Sequence, residues 1–180
     1  MNWIFCLLLN FGFTMAQLIP IETFSPTPQL DWQVVNDGVM GGLSESQMRV
    51  INAGYGRFSG TVSLENNGGF ASCRAAVDNL NLAGTTGAEL RIRGDGKVYD
   101  MRVRVKGPHQ RVAYRSAFKT SMGKWETIQC PWLAFEPTFR GRQLTDVPPI
   151  EPGAIREIGF LIANKQKGPF QLDIESINAY

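Results

Sequence analysis

One histidine, His109, occurs in the 180 residues, and that scarcity removes most catalytic templates. A Ser-His-Asp triad would have to use it. It stands in Gly107-Pro108-His109-Gln110, a turn between two strand patterns, where an exposed loop side chain is the ordinary reading. Multi-histidine metal sites are excluded, and with three cysteines and no Cys-x-x-Cys pair a zinc site lacks its ligands. The glycine-rich Gly38-Val39-Met40-Gly41-Gly42 is not followed by the Lys-Ser/Thr of a P-loop and does not match a dinucleotide fingerprint. Charge of one sign is lacking too: 18 basic side chains face 16 acidic ones, so the molecule is not built as a polyelectrolyte binder of nucleic acid. Carboxylates such as Glu45 and Glu65 would serve a glycosidase only if they faced each other across a cleft. The expectation is a chain without catalytic residues, cofactor or metal.

Long apolar runs are also missing. The stretch from Trp3 to Phe13 is only about ten residues, too short to span a bilayer. It ends at Thr14-Met15-Ala16, a small-residue cleavage site, so residues 1–16 read as a signal peptide, although no Lys or Arg precedes the apolar run. Cys6 has the wrong surroundings for lipidation. Export then places the mature chain in the periplasm or outside the cell. Two cysteines remain after cleavage, Cys73 and Cys130. An even count permits a disulfide, but each lies in an apolar strand context, which favours two separate buried thiols.

Helical periodicity is absent over any convincing length, and what is present repeats every two residues. Thr61-Val62-Ser63-Leu64, Glu89 to Arg93, Asp100 to Lys106 and Gln171 to Glu175 alternate as half-buried strands do. Val112 to Phe118, Trp125 to Cys130 and Ile155 to Ile162 are further strands, spaced by Gly, Pro, Asn and Asp clusters as in an antiparallel sandwich. Residues 17–29, with prolines at 20, 26 and 28, form an extended lead-in, and residues 30–180 form one domain, large enough to need no staple. Arg93-Gly94-Asp95-Gly96 reads as a hairpin turn rather than an adhesion signal. Pro131 to Pro152, with five prolines, reads as an ordered loop packed by Trp132, Phe135 and Phe139.

Two glycine-rich loops carry the most information. Trp32 leads into Asn36-Asp37-Gly38-Val39-Met40-Gly41-Gly42-Leu43-Ser44. Phe58-Ser59-Gly60 and then Ser63-Leu64-Glu65-Asn66-Asn67-Gly68-Gly69-Phe70-Ala71-Ser72 follow. Such turns demand residues that tolerate positive φ. Asn36, Asp37, Glu65, Asn66 and Asn67 are rich enough in oxygen to suggest Ca²⁺, but lack a regular alternation of ligands, so turn geometry is the simpler reading. Together with Arg93 to Tyr99 and Phe170 to Ile174, these segments resemble the complex I intermediate-associated protein 30 family over roughly residues 30–180. The resemblance implies an all-β, antiparallel jelly-roll β-sandwich of the galactose-binding-like kind. It also implies a non-enzymatic protein-interaction or chaperone-like assembly factor for the respiratory NADH:ubiquinone oxidoreductase, with complex I subunits or intermediates as partners and, if residues 1–16 are not an export signal, a place on the inner side of a respiratory membrane.

Binding candidates follow from both readings. On the loops they are Trp32, Asn36, Asp37, Asn66 and Asn67. If Leu90, Ile92, Met101, Val103 and Val105 face the core, Arg91, Arg93, Arg102, Arg104 and Lys106 share the opposite side, with Arg115 extending it from the next strand. That basic face is either solvated and paired with acids such as Glu89 and Asp100 or docks an anionic partner. Among the aromatics, Trp125 is expected in the core, whereas Trp132 opens a loop and is the exposed ring, with Phe139 and Arg140 nearby. The alternative function is therefore an exported carbohydrate-binding module using Trp132, Tyr114 and the arginines to hold a glycan.

Overall fold

In the computed structural model the described residues are 18–180 apart from Pro26 and Ala53, and the expected signal segment and Cys6 lie outside them. The two-residue alternation sets the architecture. In chain order the strands are β1 (Ile19–Glu22), β2 (Gln33–Val34), β3 (Glu45–Ile51), β4 (Tyr55–Val62), β5 (Ala71–Ala76), β6 (Gly87–Gly94), β7 (Val98–Val105), β8 (Ala113–Lys119), β9 (Trp125–Pro131), β10 (Glu136–Phe139), β11 (Arg142–Gln143), β12 (Ile155–Ile162) and β13 (Gly168–Ala179). Among the described residues only single 3₁₀ turns accompany them, and no helix is long and apolar enough to cross a membrane.

The strands form two antiparallel sheets. The first runs β3-β4-β13-β6-β9, with β1 added to the far half of β13; the second runs β11-β10-β8-β7-β12-β5-β2. Inner faces are apolar by parity. Phe58, Leu90, Ile92, Leu172 and Ile174 come from the first sheet, and Met101, Val103, Ile158 and Phe160 from the second, all buried. A ring pair joins the layers, Tyr99 of the second sheet meeting Phe170 of the first edge-on at 6.4 Å, while Phe58 meets Phe170 edge-on at 4.9 Å within the first sheet and Phe118 meets Phe160 at 6.4 Å within the second. Aromatic pairs in such geometry add about 0.5–1.5 kcal/mol beyond the area they bury.

Part of the lead-in joins the sheet, since Ile19 pairs Ala179 and Pro20 pairs Asn178. Its Glu22 is fully buried and takes hydrogen bonds from the backbone N–H groups of Thr23, Phe24, Gln29 and Leu30 and from the Trp32 indole. One carboxylate thus satisfies the donors of a whole loop, which is why it tolerates burial. Cys73 on β5 and Cys130 on β9 are separate, free and buried, as expected. Burial pushes both thiols up, Cys130 to about 11.

Three expectations are corrected. Arg93 to Gly96 is not a hairpin: β6 and β7 belong to different sheets, so this turn is a corner of the sandwich. Gly94 is needed there because a Cβ would meet the Thr120 side chain at 2.3 Å, and Asp95 ties the corner by accepting from Tyr99 Oη and Gln171 N. Pro131 to Pro152 is not strandless. Glu136–Phe139 and Arg142–Gln143 form a hairpin whose central Arg140 and Gly141 both have positive φ, the geometry a two-residue turn requires. The arginines do not share one face, because β6 sends Arg91 and Arg93 to the outside of the first sheet while β7 and β8 send Arg102, Arg104 and Arg115 to the outside of the second.

Candidate functional site

The two glycine loops are one device built around Asp37. Its carboxylate is 0 % exposed and accepts from Ser44 N at 2.9 Å, Ser44 Oγ at 2.5 Å, Gly69 N at 2.6 Å and Phe70 N at 3.2 Å. Burial pushes its pKa upward, but these hydrogen bonds outweigh that and hold it below the ordinary carboxylate value. Gly42 and Gly68 are obligatory at this point, since a Cβ would fall 2.4 Å and 2.6 Å from the same carboxylate. Asn66 and Asn67 take left-handed φ in the exposed turn, and Asn36 accepts from Ser46 Oγ. Asp37 faces N–H and O–H donors rather than other oxygens, which is not the donor set of a calcium site. Among the described residues no cluster of three metal-ligating side chains occurs.

What this latch holds outward is apolar. Val39 is 73 % exposed and Met40 65 % exposed, both on the 3₁₀ turn Asp37–Met40. Leu43 and Leu64 are exposed too, brought to the same end of the sandwich by the Ser44–Ser63 contacts. Glu45 and Glu65 flank them, both exposed. Lys and Arg are absent between Asp31 and Arg49 and between Arg57 and Arg74.

A second constellation lies on the outer face of the first sheet. Register places Asp173 of β13 directly between Arg57 of β4 and Arg93 of β6. The Asp173 carboxylate is wholly buried under the two guanidinium groups: Arg57 Nε donates at 2.7 Å and Nη2 at 3.1 Å, and Arg93 Nη2 donates at 2.7 Å and Nε at 3.0 Å. Both Nη2 groups also reach Tyr55 Oη, at 3.2 and 3.3 Å. The hydrogen bonds they donate to Asp173 hold both guanidiniums above the ordinary arginine value. Trp125, paired with Arg93 across β6 and β9, lies 4.8 Å beneath its guanidinium and meets Tyr55 edge-on at 5.6 Å. Guanidinium planes and rings therefore form one fixed, half-exposed platform.

The outer face of the second sheet uses similar residues differently. Arg115 donates to Glu136 at 3.1 Å, Glu157 bridges Arg104 at 3.0 Å and Arg74 at 3.7 Å, and Arg102 reaches Thr138 Oγ1 only at 3.4 Å. Asp100 is buried, 3.9 Å from Arg115, and its Oδ1 finds no hydrogen-bond partner among the described residues, nor does Arg102 Nε.

The sequence candidates therefore scatter. Arg93 belongs to the platform, and Arg91 pairs loosely with Glu175 at 3.5 Å. Arg102, Arg104 and Arg115 sit together on the opposite side of the molecule. Trp32 is stacked between Phe24 and Phe160 and is a packing residue. Arg140 caps a hairpin, with its guanidinium over the Phe139 ring. The tryptophans exchange roles. Trp132 is 3 % exposed, with its indole donating to Thr85 Oγ1, because the turn after Pro131 folds inward. Trp125 is on the outer face, because its parity partner Arg93 is. Tyr55, Arg57 and Asp173 escaped the sequence reading, although their outward parity in alternating strands was a usable signal.

Two inward-facing apolar layers of antiparallel strands, with polar platforms outside, define a jelly-roll β-sandwich of the galactose-binding-like kind. The family model of complex I intermediate-associated protein 30 (CIA30) matches residues 21–174, and the chain belongs to this family. An uncharacterized protein of Schizosaccharomyces pombe is 27% identical over 170 residues, 83% of this chain and 77% of its own. Among solved structures, the family 11 carbohydrate-binding module of the cellulosomal cellulase Lic26A-Cel5E of Clostridium thermocellum superposes with a TM-score of 0.67 at 12% identity, covering 92% of this chain and 95% of that one. An agarase, AgWH50C, superposes with a TM-score of 0.58 at 13% identity over 90% of this chain and 24% of its own. At such identities the likeness concerns the fold.

Proposed function

We propose that this protein is a non-enzymatic protein-interaction domain that works as a chaperone-like assembly factor, as its family's name implies, and that its partner docks on the loop end around Val39, Met40, Leu43 and Leu64. The rigidly held, exposed apolar cluster on the Asp37 latch carries the reading. Holding apolar side chains in water on a fixed turn costs solvation and gains nothing within the monomer, whereas a partner that covers them recovers it. The flanking Glu45 and Glu65 favour a protein partner whose apolar groove has a basic rim; an anionic bilayer would be repelled by the same carboxylates.

The test is a photo-crosslinking residue at position 40 in the full-length chain, expressed in its native cells, with Leu133, exposed at another site, as the comparison position. Expected is an adduct, specific to position 40, with a subunit or intermediate of complex I. It should map to apolar residues beside Lys or Arg, and a Glu45→Lys/Glu65→Lys variant should lose it. Adducts that match those from position 133, or none at all, would sink the reading. The N-terminal sequence of the recovered chain separates export, with a start near Gln17, from residence on the inner side of the membrane.

A further inference from the structure

We infer that the outer face of the first sheet is a second, independent binding site, one that takes a neutral pyranose chain. Trp125 and Tyr55 would be its stacking rings, and Arg57 and Arg93 its hydroxyl-binding donors. The argument begins with Asp173. A buried carboxylate on the outside of a sheet is not needed for the core, which lies on the other face. Its effect is to fix two guanidinium planes, each held through Nε and Nη2. That leaves both Nη1 groups without a hydrogen bond among the described residues, on side chains 30% exposed. Planar, preorganised donors lose little freedom when they bind hydroxyls. Tyr55 Oη accepts from both arginines, so its own proton is free to donate outward. Gln171, also exposed on this face, adds an amide 3.4 Å from Asp173 Oδ2.

The site also has length. Along β3 and β4, beside Arg57, a shallow groove of about 250 Å³ is lined by Glu45, Ser46, Gln47, Ser59, Gly60 and Thr61, which offer hydroxyls, one amide and one carboxylate. Tyr55 to Thr61 spans about 20 Å at the usual rise of a strand, more than one sugar ring. Rings, a few convergent polar groups and a groove are the ordinary make-up of a small-molecule or chain-binding site.

Charge selects the ligand. The face carries Arg49, Arg57, Arg91 and Arg93 against Glu45, Glu89, Asp173 and Glu175. The balance is even. Single-stranded nucleic acid also stacks on aromatic and guanidinium planes, but it needs a basic groove for its phosphates, and a polyuronate needs unpaired cations. On this face, among the described residues, Arg49 alone of these arginines makes no ion pair, one cation on an edge strand rather than a basic groove. A neutral polyol meets donors, acceptors and apolar ring faces without a charge to desolvate.

The test is an NMR titration of the full chain. It follows the Arg57 and Arg93 Nε–H signals and the Trp125 indole N–H as cellohexaose, laminarihexaose or neoagarohexaose is added, with polygalacturonate and oligo(dT) as anionic comparators. Expected is a saturable shift of these three signals with at least one neutral hexasaccharide. Trp125→Ala should weaken it at least tenfold, and Gln171→Ala, which leaves the arginine array intact, severalfold, both with otherwise native spectra. Three results would overturn the inference: no saturable shift with any neutral hexasaccharide, shifts with the anionic polymers only, or saturable shifts confined to other residues. A Val39→Ser/Met40→Ser variant should bind the sugar unchanged, so failure here and failure of the docking reading are told apart.

Discussion

The two outer faces of this sandwich are made from the same residue types and come to opposite results. On the first sheet Asp173 sits between two arginines, and both of its oxygens are bonded, Oδ1 by Arg57 Nε and Oδ2 by four further donors. On the second, Asp100 sits among Arg102 and Arg115, yet its nearer cation is 3.9 Å away and one oxygen is unpartnered. The difference is register. Asp173 is directly opposite Arg57 and Arg93 on its two neighbours, whereas Asp100 is opposite Ala117 and Leu161, so its arginines must approach diagonally. A two-residue offset along β8, which keeps Arg115 on the same face but diagonal to Asp100, separates a saturated buried charge from an under-satisfied one.

Removing the charge from each face sharpens that contrast. Asp173→Ala orphans two guanidiniums at once and should cost about 3 kcal/mol, since breaking a buried pair is penalised far beyond the pair's net worth. In a domain of this size that lowers Tm by roughly 6–12 °C, readable by differential scanning calorimetry. A smaller loss is expected for Arg93→Ala, about 2 kcal/mol, because Arg57 still neutralises the carboxylate; urea denaturation followed by near-UV circular dichroism would report it together with the loosened Tyr55–Trp125 contact. If Asp173→Ala proved no worse than Arg93→Ala, the carboxylate would not be the organising centre of that face.

The sandwich was legible in the sequence because period-two alternation reports parity directly. Leu90, Ile92, Met101 and Val103 all face inward as parity requires. The sheet to which each strand belongs was not legible. Nothing in Arg91 to Arg104 marks the corner at Gly94, so arginines on opposite sides of the molecule read as one basic face. The same gap explains the tryptophans: their local contexts point the wrong way, and pairing with Arg93 and closure over Thr85 decide that Trp125 is outside and Trp132 inside. The glycine loops were read correctly as turns, but their purpose was hidden. Gly42 and Gly68 are far apart in sequence, and only the fold shows both giving room to the Asp37 carboxylate. Glu22 was passed over because the five donors that converge on it come from a segment, Thr23 to Trp32, whose first part reads as extended lead-in.

The buried carboxylates also separate by the sign of their response to pH, and the effect at Asp100 is the smallest expected. Asp100 is held above the ordinary value of 3.8, chiefly because burial penalises its charge, with Arg115 and Arg102 only partly offsetting this. A carboxyl with a raised folded pKa binds its proton more tightly when folded, so its charge costs stability. That cost appears as pH rises from the ordinary carboxylate range through the folded pKa and is constant above it. Asp37 is held below 3.8 by its hydrogen bonds, so its contribution is full above the ordinary value and is lost as pH falls through the folded pKa. Asp100→Asn should accordingly match the parent below about pH 4 and be the more stable protein at pH 7, by no more than about 1 kcal/mol. Asp37→Asn should be destabilised at pH 7, by on the order of 3 kcal/mol, and approach the parent in acid. Urea midpoints collected from pH 3 to 8 for both variants check this. Parallel curves would mean that Asp100 is as well satisfied as Asp37, and that the outer face of the second sheet is a second ordered array rather than a solvated one.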